Sequence, residues 1–146
     1  MIAALSFNMD RPPLLGIKET CIYVKDLDRS REFYEELIGL ECFSFAERSH
    51  AFFRVGRSVL LCFDPIASRK QHHLPRHFAE GELHFAFEVE RSGYDRWKQW
   101  ISARSIEIEQ EQDWPGGFRS FYFRDPDRNC VEIIEQGTWE FDRNEE

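Results

Sequence analysis

A chain of 146 residues with 42% apolar side chains is long enough for one domain to bury a core without disulfide support. Its 19 basic and 27 acidic residues give a formal charge of −8, the wrong sign for gripping a phosphate backbone, and no dense Lys/Arg block offsets it; nucleic acid is not an expected partner. Cys21, Cys42, Cys62 and Cys130 are widely scattered, mostly inside apolar runs, and read as reduced thiols, while the start from Met1 to Asp10 has neither a basic cluster nor a long apolar run, so neither leader nor membrane span is expected and a cytoplasmic location is.

Residues 1–16 read as a tail containing Arg11-Pro12-Pro13. The β-branched and aromatic run Thr20–Val24 predicts a strand. A helix follows, with Asp26 as N-cap, Leu27, Phe33, Tyr34 and Leu37 at helical spacing, and Gly39 placed to end it. Three strands fit Leu40–Ala46, His50–Val55 and Ser58–Phe63, the last two joined at Gly56-Arg57. Residues 17–64 thus form a first β-α-β-β-β module.

Residues 65–81 are polar, contain Pro65, Pro75 and the cluster Arg69-Lys70-Gln71-His72-His73, and are predicted to be a loop linker. His72, His73 and His77 lie near Arg69, Lys70 and Arg76, a cluster that fits a solvated loop better than an anion site.

Residues 82–136 repeat the order, and 137–146 form a second tail. The repeat starts with a strand at His84–Val89 and a helix whose Ser92-x-x-Asp95 start resembles a capping box, with Tyr94, Trp97, Trp100 and Ile101 as its apolar face. Strands then fit Ile106–Glu111, Phe118–Phe123 and Cys130–Glu135, separated by Trp114-Pro115-Gly116-Gly117 and Asp125-Pro126-Asp127-Arg128-Asn129. Val24 matches Val89, Phe53-Arg54 matches Phe123-Arg124, and Val59 matches Val131. The shared element order points to duplication.

Three segments in this order, Val24-x-Asp26-Leu27-x-x-Ser30-x-x-Phe33-Tyr34 with Gly39-Leu40, His84-x-Ala86-Phe87, and Asp125-Pro126-Asp127-x-Asn129-x-x-Glu132, make the chain resemble the vicinal oxygen chelate superfamily of glyoxalases, bleomycin-resistance proteins and extradiol dioxygenases. The resemblance spans Ile17 to Gln136. It implies an α+β fold, two βαβββ modules curling into an open sheet-walled cleft, and ligands from the first and last strands of each module. By position these slots fall on Glu19, Leu60, His84 and Glu132. Period-two alternation agrees for two of them: Glu19, Cys21 and Tyr23 share a face opposite Ile22 and Val24, and Glu132 opposes Val131 and Ile133.

Leu60 cannot ligate, so the expected metal set is Glu19, His84 and Glu132, an open three-ligand site for a divalent ion, with Zn, Ni or Mn favoured and Fe possible. The competing reading is a metal-free cleft in which His84 hydrogen-bonds to a carboxylate. Glu19 or Glu132 is the expected general base. Cys21, Tyr23, Trp114, Ser120 and Tyr122 are the expected substrate-binding residues; on the strand they share, Ser120 and Tyr122 are favoured over Arg119 and Phe121 as the cleft-facing pair. Nothing marks Cys21 as a nucleophile, since a thiol beside carboxylates ionises with difficulty.

The resemblance implies a metal-dependent lyase or isomerase of glyoxalase type, in which Lewis-acid contact with a small oxygenated metabolite stabilises an enolate-like or alkoxide species. The alternatives are a metal-free small-molecule binding protein of the bleomycin-resistance kind and, less favoured with Glu19 where relatives present histidine, an Fe(II) extradiol dioxygenase. It also implies a homodimer, with each cleft completed within one chain or across the interface.

Overall fold

A computed structural model describes residues 10–140; expectations for residues 1–9 and 141–146, including most of the N-terminal start and the end of the C-terminal tail, lie outside the described residues. The chain forms two four-stranded mixed sheets with few helices, an α+β architecture of open sheets. Strand β1 (Glu19–Tyr23) leads through a short helix α1 (Leu27–Arg31) to β2 (Glu41–Ala46), β3 (His50–Val55) and β4 (Ser58–Phe63). The second half runs from β5 (His84–Val89) to β6 (Gln110–Trp114), β7 (Phe118–Arg124) and β8 (Cys130–Glu135). Spatial order is β1-β4-β3-β2 in one sheet and β5-β8-β7-β6 in the other, the same topology twice. In each, the first strand runs parallel to the last and the other two pairs are antiparallel. No helix among the described residues is long and apolar enough to cross a membrane.

The Asp26 carboxylate accepts from the Arg29 amide at 3.1 Å, capping α1 as the sequence predicts. The helix then widens into a π turn over Glu32–Leu37, closed by the bond from the Ile38 amide to the Phe33 carbonyl. Phe33 and Tyr34, adjacent in sequence, are both buried there. Gly39 follows at φ +89°, a left-handed residue at the helix end where any side chain would be strained.

Three expectations are corrected. The stretch 65–81 is not all loop: Pro65–Lys70 forms a helix, capped by Asp64, whose carboxylate accepts from the amides of Ile66 and Ala67 at 2.9 Å, with Pro65 in the first turn. The capping box at Ser92 does not form, because Arg91–Gly93 winds as a 3₁₀ turn into the helix Tyr94–Ala103 and no side chain caps it. The sixth strand begins at Gln110 rather than Ile106 and runs through Trp114, which pairs with Phe118 across the turn.

One apolar core joins the halves. Ile22, Val24, Phe53, Leu60 and Cys62 of the first sheet meet Phe87, Phe121, Phe123, Val131 and Ile133 of the second, with Tyr34 and Tyr94 buried between elements. The Tyr34 hydroxyl donates to Asp125 at 2.7 Å, and Asp125 also accepts from Asn129, tying the first helix to the β7–β8 turn. The Lys25 amide donates to Asp127 at 2.9 Å and the Trp100 indole to the Leu37 carbonyl at 2.8 Å. Truncating a fully buried aromatic such as Phe121 to Ala is expected to cost about 3–5 kcal/mol.

Candidate functional site

Alternation along each strand assigns one face to this core and leaves the other for chemistry. On β8, Val131 and Ile133 join the core while Glu132 takes the opposite face, yet is only 5% exposed. Its neighbour β5 begins with His84, and across β7 Tyr122 stands directly opposite Glu132. His84 Nε2 lies 3.3 Å from Glu132 Oε2. The other ring nitrogen, Nδ1, is 2.9 Å from the Cys130 carbonyl. A carbonyl only accepts, so Nδ1 carries the proton and Nε2 faces the carboxylate, the orientation in which an imidazole can bind a cation.

Glu132 Oε1 is buried and has no hydrogen-bond partner among the described residues. A buried carboxylate oxygen left bare is costly. The other oxygen of the same carboxylate, Oε2, faces the oriented imidazole nitrogen, and an imidazole beside a carboxylate is a donor pair that suits a divalent cation.

Tyr122 and Ser120 lie on the same face as Glu132, whereas Phe121 and Phe123 turn to the core and Arg119 pairs with Glu135 at 2.9 Å. The Tyr122 phenol is pushed up by burial, and by the Glu132 carboxylate, while its hydrogen bond with Ser120 pulls it back. Trp114, at the end of β6, donates its indole N–H to Ser120 Oγ at 2.9 Å and packs edge-on against Trp139. Thus His84, Glu132, Tyr122, Ser120 and Trp114 gather in the second half.

Glu19, Cys21 and Tyr23 gather in the first. They share the outward face of β1, and burial, then the Glu19 charge, raises the Cys21 thiol, so Cys21 is a poor nucleophile. Burial also raises the Tyr23 phenol, and its hydroxyl lies 2.7 Å from His77 Nδ1. His77 packs against Phe63 at 4.6 Å and also contacts Ser68 Oγ at 3.0 Å. His50 stacks on Phe52 at 4.0 Å, extending an aromatic surface over this sheet. His77 was legible only as part of a polar linker, since a single contact with Tyr23 leaves no periodic trace in sequence.

Among the described residues, no three His, Cys, Asp or Glu side chains of one chain gather as a metal group. Glu19 is therefore not brought to His84 and Glu132 within the chain. The fourth slot also moves. Glu19 opposes Val59 and Cys21 opposes Leu61, as His84 opposes Cys130 and Ala86 opposes Glu132. Leu61 is the counterpart of Glu132, while Leu60 points into the core; the alignment by sequence was one residue out of phase, and in β strands one residue is a change of face. A recess of about 560 Å³ between Arg29, Phe33, Arg104, Arg124 and Asp125 lies at the seam between the halves and contains none of these residues.

Duplicated βαβββ sheets, with His and Glu side by side on the outward face of parallel-paired first and last strands, define a vicinal oxygen chelate protein. The chain belongs to the Glyoxalase/Bleomycin resistance protein/Dioxygenase superfamily, whose model matches residues 16–133. Among solved structures it is similar to a lactoylglutathione lyase from Agrobacterium tumefaciens, with 38% identity and a TM-score of 0.84, covering 89% of this chain and 100% of that one. A fosfomycin resistance protein, FosX, from Listeria monocytogenes shares the fold at 21% identity and a TM-score of 0.64, over 88% and 98% of the two chains. Among curated proteins, metallothiol transferase FosB of Staphylococcus saprophyticus is 26% identical over 120 residues, 81% of this chain and 75% of that protein.

Proposed function

We propose that the protein is a metal-dependent lyase or isomerase of glyoxalase type, acting on a small metabolite with neighbouring oxygens, with the ion held by His84 and Glu132 of one chain and Glu19 of a second copy. The observation that carries this reading is Glu132, whose Oε1 is buried without a hydrogen-bond partner among the described residues while its Oε2 faces the oriented His84 nitrogen. The likeness to a lactoylglutathione lyase at 38% identity supports the reaction class, and the name metallothiol transferase of a second relative supports metal use.

When bound, a divalent ion would supply Lewis-acid polarisation of the substrate oxygens. His84 is held for this by its Nδ1–H donating to the Cys130 carbonyl. Glu132, shielded from water, provides a carboxylate of fixed direction. Glu19, in a more open position on β1, can hold the substrate proton as general base. The aromatic surface around Tyr23, Phe52 and Phe63 provides an apolar wall that excludes water.

Metal analysis of the protein purified without chelator tests the proposal. One ion per chain is expected, lost in His84→Ala. A wild type that neither retains nor is thermally stabilised by Ni²⁺, Zn²⁺ or Mn²⁺ refutes it and favours a metal-free binding protein.

A further inference from the structure

Ser120 has the composition of a ligand-contact residue but is 0% exposed, so no substrate can reach it. Its hydroxyl instead sits between two partners. The Trp114 indole, 2.9 Å away, can only donate, so Ser120 Oγ accepts there. The Ser120 hydrogen is then left for its other neighbour, the Tyr122 hydroxyl at 3.4 Å. Tyr122 Oη, accepting from Ser120, turns its own hydrogen elsewhere, and the residue paired with Tyr122 across β7 and β8 is Glu132, whose carboxylate acts on the Tyr122 phenol. With the indole hydrogen on Ser120 Oγ and the Ser120 hydrogen on Tyr122 Oη, the line of donors runs from Trp114 toward Tyr122.

We infer that Trp114 and Ser120 are positioning residues: acting through Tyr122, they aim a hydroxyl hydrogen at the Glu132 carboxylate and hold it in the orientation that presents Oε1. The inference rests on the reading of Glu132 as a metal ligand. It differs from a substrate-binding role for these side chains, because Ser120 is fully buried and the line leads away from Glu132 to where Trp114 packs edge-on against Trp139 at 4.9 Å. The Trp114–Ser120 end is a local hairpin contact, since Gln112 and Ser120 are paired across β6 and β7.

Outer partners of ligating residues typically change metal affinity by about 10–100-fold. Titration of Zn²⁺ into the metal-stripped protein is the test, with Tyr122→Phe, Ser120→Ala, Trp114→Phe and the Trp114→Phe/Ser120→Ala pair. Each single variant is expected to weaken Zn²⁺ by about tenfold or more, and the double variant by no more than Ser120→Ala alone, because one line is cut once. Unchanged affinities in Ser120→Ala, the smallest change and the safest for folding, overturn the inference; so do additive losses. A second readout separates this inference from the metal assignment. The Trp114 indole N–H resonance is expected to shift in Tyr122→Phe without metal, and in wild type on adding Zn²⁺ but not in Ser120→Ala. If wild type binds no Zn²⁺ the metal assignment fails, whereas an indole resonance indifferent to Tyr122→Phe refutes the line of hydrogen bonds itself.

Discussion

The two sheets share a ladder and differ in what they hang on it. Residue for residue, Glu19 and His84 begin the first strands, and Leu61 and Glu132 occupy equivalent places on the last strands. The second half keeps an imidazole and a carboxylate 3.3 Å apart. The first keeps one carboxylate and fills the remainder of its face with Tyr23, Phe52, Phe63, His50 and His77. Duplication thus supplies register and facing, which backbone pairing dictates, whereas chemistry is decided at single positions that pairing leaves free. Among the described residues neither half is a complete three-ligand site, and on the proposed reading the second supplies His84, Glu132 and their support while the first supplies Glu19, as third ligand and general base, and an apolar wall.

The largest expected effect comes from separating the halves onto different chains. Glu19→Ala and Glu132→Ala are each expected to lose the metal. Mixed by unfolding and refolding together, they should recover about a quarter of the wild-type metal content, since half the random pairs are mixed and each mixed pair rebuilds one of two sites. No recovery in a mixture shown to form mixed dimers would mean that Glu19 serves its own chain or no metal at all.

Much of this was readable before any coordinates. His50–Val55, Ser58–Phe63, His84–Val89 and Cys130–Glu135 are strands with the predicted bounds, because Gly56-Arg57 and Asp125–Asn129 punctuate apolar alternation strongly. The sixth strand was misplaced because Ile106 and Ile108 alternate with Glu107 and Glu109 and pack on the core, yet alternation records burial, not pairing; the ladder with β7 starts only at Gln110. The helix at Pro65–Lys70 was hidden by its polarity: six residues with one buried side chain, Ser68, carry no amphipathic signal. On the outward faces, Glu19 and Glu132 were legible from period two and His84 from the family resemblance, but the bare Oε1 and the Trp114–Ser120 bond arise from side-chain geometry that no spacing encodes.

A smaller effect is expected from making the first half resemble the second. Leu61 is 8% exposed, so Leu61→Glu should destabilise the metal-free protein by about 1–3 kcal/mol through an unpaired carboxylate. Supplying the missing fourth ligand, it should also make the thermal midpoint rise more on adding Zn²⁺ than in wild type. Destabilisation without this larger metal response would show that Leu61 does not face the ion, and the correspondence with Glu132 would be one of backbone only.

The smallest effect concerns His50, which has no counterpart to the carboxylate beside His84. Burial lowers its pKa below the ordinary 6.5, and its ring lies flat on Phe52 between the hydroxyls of Ser44, 2.9 Å from Nε2, and Ser49, 3.0 Å from Nδ1. The neutral ring is therefore favoured in the folded state. As pH falls through 6.5 the unfolded chain takes up the proton first, so it binds more protons than the folded chain and stability declines; the decline stops once the lower folded value is also passed. Above 6.5 both states are neutral and His50 contributes no slope. His50→Gln, which can still hydrogen-bond to the serines but does not titrate, should flatten the pH dependence of urea unfolding just below 6.5 and leave it unchanged near pH 8. An identical slope in wild type and variant would show that the folded protein accommodates the imidazolium as readily as water does, and that the first half's aromatic face is wetter than its packing suggests.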